Sequence, residues 1–211
     1  MCFPGRVAGL RIRRVRIARG TPLFRAGERV DALYMIRSGC IKEIEDVAGR
    51  HGTVAHFALP GELLSLHSLG CVASRTTGIA VEPSFVCVVP WNAFNQACAS
   101  APRVAGEFIR MIAKAGVTAR DSLTLIRNKD AYQRVAGFLL NIFARMQVGG
   151  VRARDFRLGM NRDDIADYLG IRSETVSRCF TELARRQLIK VKAKRVQILQ
   201  VNELRRVYVG A

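Results

Sequence analysis

Hydrophobic positions along this chain change their period twice, and each change marks a change of element. From about Arg16 to Pro90 they fall in short runs, "ALYMIRSGCIKEI", "GTVAHFAL", "PGELLSL", "TTGIAV" and "SFVCVVP", punctuated by Gly and other turn residues. Evenly spaced short strands of this kind predict a small antiparallel barrel or roll. At "PWNAFNQACASAPRVAGEF" the spacing turns helical, and Pro102 to about Arg127 reads as one long helix. Within it Ile109, Ile112, Gly116, Ala119, Leu123 and Ile126 alternate spacings of three and four, as a coiled-coil seam does. The seam carries no charge and two small residues, which lets two helices approach closely. The competing reading is a stripe that covers one face of the β-rich part. A second helix, "DAYQRVAGFLLNIFARM", follows, and "QVGGVRARDF" then forms a Gly-rich, basic break.

The densest pattern is "NRDDIADYLGIRSETVSRCFTELARRQLI", Asn161 to Ile189. Asn161 can cap a first helix whose apolar positions Ile165, Ala166 and Leu169 share one face. Gly170 supplies the positive φ of a tight turn. Ser173 can then cap a second helix that runs through Val176, Cys179, Phe180 and Leu183. Ala four residues before the Gly and Val six after it make a helix-turn-helix pattern, whose second helix presents its N-terminal residues to base edges in the major groove. Those residues are Ser173, Glu174, Thr175, Ser177 and Arg178. A Glu accepts from cytosine N4 and an Arg binds guanine O6 and N7, so the pair suits a G·C step. The plainer reading of Glu174 and Arg178 is a solvated i, i+4 ion pair. "RRQLIKVKAKRVQIL" follows as a short hairpin, the wing of a winged helix, with Lys190, Lys192, Lys194 and Arg195 available to phosphates.

Charge sharpens this picture. The 211 residues carry a formal charge of +17, which makes a polyanion the expected partner, nucleic acid before an anionic membrane. Residues 1–20 hold six Arg and no acid, residues 21–150 hold 14 basic against 10 acidic groups, and residues 151–211 hold 14 against 7. The excess therefore favours the ends of the chain over its middle. Aromatic residues are 7%, few for stacking on RNA bases, and none falls on the reading face of the helix-turn-helix. No apolar run approaches the roughly 20 residues of a membrane span, and the Arg-interrupted N-terminus does not read as a signal peptide. A cytoplasmic protein without membrane attachment is expected. Six scattered cysteines show neither C-x-x-C nor zinc-finger spacing, as befits reduced thiols. No catalytic fingerprint occurs, and His51, His56 and His67 have no nucleophile or carboxylate cluster beside them, so an enzyme is not expected.

From about Arg14 to Ile198 the chain resembles the CRP/FNR family of bacterial transcription regulators. "FRLGMNRDDIADYLGIRSETVSRCFTELARRQLIKV" is similar to that family's winged helix, and E-x-x-S-R at Glu174, Ser177 and Arg178 is similar to its FNR/FixK branch. "GTPLFRAGERVDALYMIRSGCIKEI" and "FALPGELLSL" resemble its sensor β-roll, and Pro102 to Arg127 its dimerisation helix. The resemblance implies an α+β fold: an antiparallel, cyclic-nucleotide-binding-like β-roll over 1–101, a long dimerisation helix over 102–127 and a winged helix-turn-helix DNA-binding domain over 128–211. It further implies a homodimer on double-stranded DNA, reading a palindrome of TTGAT-like half-sites and acting through RNA polymerase. Arg162 would be a phosphate contact. The uncharged seam suggests a dimer that needs no signal to form.

The resemblance also supplies candidate effectors. An iron–sulfur cluster needs four Cys ligands; Cys87 matches one, but only Cys2 precedes the roll, so a cluster is not expected. A cyclic nucleotide would use Gly61 to Leu63, including Glu62, with Arg75 and Thr76, but the adenine-holding hydroxyl pair is replaced by Ala119 and Arg120. Haem would use His67, beside Ser65 where haem-binding members carry Cys. Oxidation of Cys179 beside Arg178 is a fourth route, against which its place among apolar residues argues packing. The leading expectation is a protein without a cofactor, controlled by its own abundance. An effector-gated regulator is the alternative, and a non-specific nucleic-acid-binding protein comes after it.

Overall fold

The computed structural model describes residues 12–45, 52–68, 71–127, 129–148 and 155–210. It divides into two compact units, residues 1–117 and 118–211, and the division falls within a single helix.

The first unit is the β-roll. Strands β1 (Arg13–Ile17), β3 (Ala32–Ser38), β6 (Leu63–Leu64) and β8 (Ser84–Pro90) form one antiparallel sheet in the order β1-β8-β3-β6. Strands β2 (Pro22–Phe24), β4 (Ile41–Glu45), β5 (Thr53–Ala58) and β7 (Thr76–Ala80) form the second, in the order β2-β7-β4-β5. All eight strands send side chains into one core, among them Phe24, Ile36, Ile41, Ala58, Leu64, Ala80 and Val86. Because a strand's side chains alternate between faces, β3 and β8 also point Leu33, Met35, Cys87 and Val89 outward. That outer face is covered by α1 (Trp91–Ser100), through Phe94, and by Val104, Phe108 and Met111 from the start of α2 (Pro102–Ile126). Two buried faces explain why "SFVCVVP" is a continuous apolar run rather than an alternating one.

One turn in the roll has a strict sequence requirement. Gly39 has φ +88°, and a Cβ there would lie 2.7 Å from the Ser84 backbone. Ser84 is itself fully buried, its hydroxyl accepting from the Cys40 amide at 3.1 Å. The tip of the β4–β5 hairpin, suggested by "EDVAGRHG", lies largely outside the described residues.

The second unit holds the end of α2, α3 (Ala131–Val148), α4 (Arg162–Leu169), α5 (Ser173–Arg185) and α6 (Val201–Val209), with strands β9 (Asp155–Arg157), β10 (Ile189–Lys192) and β11 (Arg195–Ile198). Its core gathers Leu125, Val135, Phe138, Leu139 and Ile142 with Ile165, Leu169, Val176, Phe180, Leu183 and Leu204. Two elements depart from the sequence expectation. The break "QVGGVRARDF" ends in a strand, since Asp155–Arg157 pairs with β11 and widens the wing hairpin to three strands. The chain also closes with α6, packed so near α3 that a Cβ on Gly137 would meet the Tyr208 ring at 2.6 Å. The signal for α6 was present: Val201, Leu204 and Tyr208 at helical spacing, then Gly210 as a left-handed C-cap.

Glu43 is an ionisable group enclosed in the roll. It is 5% exposed, and its Oε1 accepts from the Ser65 amide at 3.0 Å. Burial raises its pKa to about 7, only partly offset by that hydrogen bond. The folded roll thus holds the proton more tightly than the unfolded chain does. This stabilisation is fully present below the ordinary carboxyl pKa and is lost as pH rises through about 7. Glu43→Gln keeps an acceptor for Ser65 and removes the titration. Urea denaturation at pH 5 and pH 8 should show the unaltered protein losing on the order of 3 kcal/mol more than the variant across that interval. Equal losses would remove Glu43 as the source.

Candidate nucleic-acid interface

The helix-turn-helix forms as its residues dictate. The Asn161 side chain accepts from the Asp164 amide at 2.7 Å while Asp164 accepts from the Asn161 amide at 3.2 Å, a reciprocal capping box at the start of α4. Gly170 ends α4 with φ 64°, and its amide bonds back to Ala166 and Asp167. Arg134 on α3 donates to the Leu169 carbonyl at 3.0 Å, meeting another group left open at that helix end. Ile165, Ala166 and Leu169 are buried, and so are Val176, Cys179, Phe180 and Leu183 on α5.

One expectation about α5 is corrected. Ser173 is not its cap: Arg172 holds that position without a side-chain hydrogen bond, and Ser173 is the first helical residue. Its hydroxyl donates instead to Asp163 Oδ1 at 2.6 Å. The helix starts one residue earlier than the pattern suggests, so Ser173 lies inside it, where α4 places a carboxylate within reach of its hydroxyl proton.

Burying the apolar side of α5 turns Glu174, Ser177 and Arg178 outward, where all three are exposed, with Ser173 and Thr175 half-buried at the edge. Among the described residues no ion pair joins Glu174 to Arg178, so the solvated-pair reading is not realised. The charges at the far end of the same helix behave differently. Glu182 accepts from Arg185 at 2.7 and 2.8 Å and from Arg186 at 2.7 Å, bonds that hold its carboxyl down at about 2. One end of α5 thus has its carboxylate bound to two arginines, and the other presents unspent hydrogen-bonding groups.

The surrounding cations divide in the same way. Arg162 is half-buried with its guanidinium carbon 3.4 Å from the centroid of the Phe180 ring, a cation–π contact tying α4 to α5. Lys194 is not a free cation, since its ammonium donates to the Gly159 carbonyl at 2.6 Å and braces the wing. Arg195 lies 3.5 Å from Asp155. Lys190 and Lys192 are exposed along β10.

Two family models cover most of the chain, a cyclic nucleotide-binding domain over residues 14–101 and a Crp-like helix-turn-helix domain over residues 133–207. The transcriptional activator protein Anr of Pseudomonas protegens is 31% identical over 188 residues, covering 89% of this chain and 77% of that protein. The fumarate and nitrate reduction regulatory protein of Vibrio cholerae is 31% identical over 91% of this chain and 77% of its own. The chain belongs to the CRP/FNR family. It is a DNA-binding transcription regulator of that family, not an enzyme. In fold it is similar to FixK2 from Bradyrhizobium japonicum, with a TM-score of 0.81 at 24% identity over 94% of this chain and 98% of that one.

The remaining candidate residues of this CRP/FNR regulator lie away from α5. Ile109, Ile112, Gly116, Ala119, Leu123 and Ile126 are all exposed along α2 in the single chain, Ile109 and Leu123 by nearly two thirds. In the roll, Glu62 accepts from the Leu59 amide at 3.0 Å and stands 3.9 Å from His56 Nε2. Thr76 is buried, Arg75 is exposed, and His67 lies in a single 3-10 turn, Leu66–Ser68. Cys87 and Cys179 are buried free thiols, and burial raises the pKa of Cys179.

The capping box gives a direct test of how α4 is held. Asn161→Ala should lower stability by about 1 kcal/mol, read as a shifted urea midpoint with an unchanged slope. An unshifted midpoint would show that the cap contributes nothing.

Proposed function

We propose that this regulator is a cytoplasmic homodimer that binds a palindromic, TTGAT-type DNA site through α5, in a form that needs no cofactor, and acts on promoters through RNA polymerase. The observation that carries the reading is the row Glu174, Ser177 and Arg178: exposed, on one side of a rigidly packed helix, and unpaired among the described residues. Glu174 supplies an acceptor for cytosine N4 and Arg178 donors for guanine O6 and N7, while Ser173 and Thr175 border them. Lys192 on the exposed wing supplies a phosphate contact, and Arg162 offers part of its guanidinium to the backbone while its face rests on Phe180. Lys194, committed to Gly159, is a support of the wing in this reading.

The dimer reading rests on α2. Its uncharged exposed stripe would be buried by a second copy of the same helix, and burying such residues is the usual source of association energy. Independence from a cofactor is supported by the roll, where Glu62 and Thr76 are engaged by their own chain. Similarity to the transcriptional activator protein Anr favours activation at promoters.

Ligand-free protein should bind a TTGAT palindrome in preference to a scrambled duplex at near-physiological salt, where non-specific attraction is weakened. Arg178→Ala should relax preference at one base pair by a factor of roughly 10, whereas Lys192→Ala should weaken all duplexes alike. Equal weakening of all duplexes by both substitutions would sink the assignment of Arg178 to a base. Leu123→Glu should leave a folded monomer in sedimentation at micromolar concentration, since two carboxylates would meet across the seam. A persistent dimer would place the interface elsewhere.

A further inference from the structure

Asp163 makes a bond that joins two helices and caps neither. The capping box at the start of α4 pairs the Asp164 amide with Asn161 and the Asn161 amide with Asp164, and uses no atom of the Asp163 side chain. Asp163 is exposed at that turn, and its carboxylate accepts from the Ser173 hydroxyl at 2.6 Å, linking the first turn of α4 to the first turn of α5. On a face turned to phosphates a carboxylate works against attraction. A first-turn carboxylate favours the helix start electrostatically, but that effect needs no particular partner, and the bond to Ser173 goes beyond it.

The chemistry of the bond supplies a role for it. A serine hydroxyl has one proton and two lone pairs, and a carboxylate can only accept, so the Ser173 proton is committed to Asp163. Toward a base edge Ser173 then offers lone pairs alone. In the major groove the donors are adenine N6 and cytosine N4, whereas guanine and thymine show acceptors at N7, O6 and O4. We infer that Asp163 is a positioning residue that sets the hydrogen-bond polarity of Ser173, so that Ser173 selects adenine or cytosine over guanine or thymine at the base it faces. Asp163 itself touches no DNA in this arrangement. A serine without this partner would rotate and accept any of the four bases. The inference rests on the DNA reading by α5 proposed above.

The test uses the full-length protein and selection from a library of randomised duplexes, followed by titration of single-position variants of the selected site. Ser173→Ala identifies the base pair concerned, as the one position whose preference collapses. Unaltered protein should prefer adenine or cytosine there about fivefold, the worth of one hydrogen bond. Asp163→Ala should abolish that preference and leave the Arg178 position intact. Asp163→Asn removes the charge and brings an amide that can accept from Ser173 or donate to it, so it should weaken the preference without abolishing it while tightening binding to every duplex.

Identical, uniform changes from Asp163→Ala and Asp163→Asn would overturn the inference, because Asp163 would then act by charge alone. So would a Ser173→Ala protein with unchanged preferences at every position, or an unaltered protein that favours guanine or thymine at the Ser173 position. If selection succeeds and Arg178→Ala behaves as proposed, such a result removes only the role of Asp163. If unaltered protein shows no sequence preference at all, the DNA reading falls and this inference falls with it.

Discussion

The seating of α5 is the constraint on which the rest of the second unit depends. Val176, Cys179, Phe180 and Leu183 occupy successive turns of one face and are all buried, so the rotation of the helix about its axis is fixed by the core. Each side chain on the opposite face is thereby aimed without any bond of its own. This is why Glu174, Ser177 and Arg178 can stand unpaired and still be held in a defined direction. The capping box on α4, the left-handed turn at Gly170 and the bond from Arg134 to Leu169 then fix how α4 braces that helix.

Polar groups around α5 follow the same economy. Two of them are engaged internally, Glu182 by two arginines and Lys194 by a backbone carbonyl, while Arg195 makes only a loose, exposed ion pair with Asp155. Arg162 is partly consumed, since its face lies on Phe180. Lys190 and Lys192 stand exposed along the edge of the wing. In the proposed reading, charge that attracts and charge that discriminates sit on different elements, which separates affinity from specificity.

The roll presents a contrasting use of a buried polar group. Glu43 is enclosed where a hydrophobic residue would ordinarily sit, bonded to the amide of Ser65, itself at φ 57°. The roll is built on two buried faces of the β1-β8-β3-β6 sheet, which is what allows α1 and the start of α2 to cover it. Cys87 lies in that outer core, where a small apolar thiol fits between neighbouring strands.

Much of this was legible in the chain because it depends on local periodicity. The short strands, the length of α2, the helix-turn-helix with its Asn161 cap and Gly170 turn, and the wing hairpin all follow from spacings of two, three or four residues and from residues with special backbone preferences. Which residues face outward on α5 followed from the same arithmetic. Tertiary structure alone decided what each polar side chain does once the elements meet. Ser173, a cap by local rules, lies one residue inside α5 and donates to Asp163, ten positions away. Lys194 was drawn to Gly159 across 35 positions, β9 was recruited by β11, and α6 docked against Gly137. Short-range pattern sets which face is apolar; the partner of a hydrogen-bonding group is set by whatever the fold brings within about 3 Å, and no local pattern records that distance.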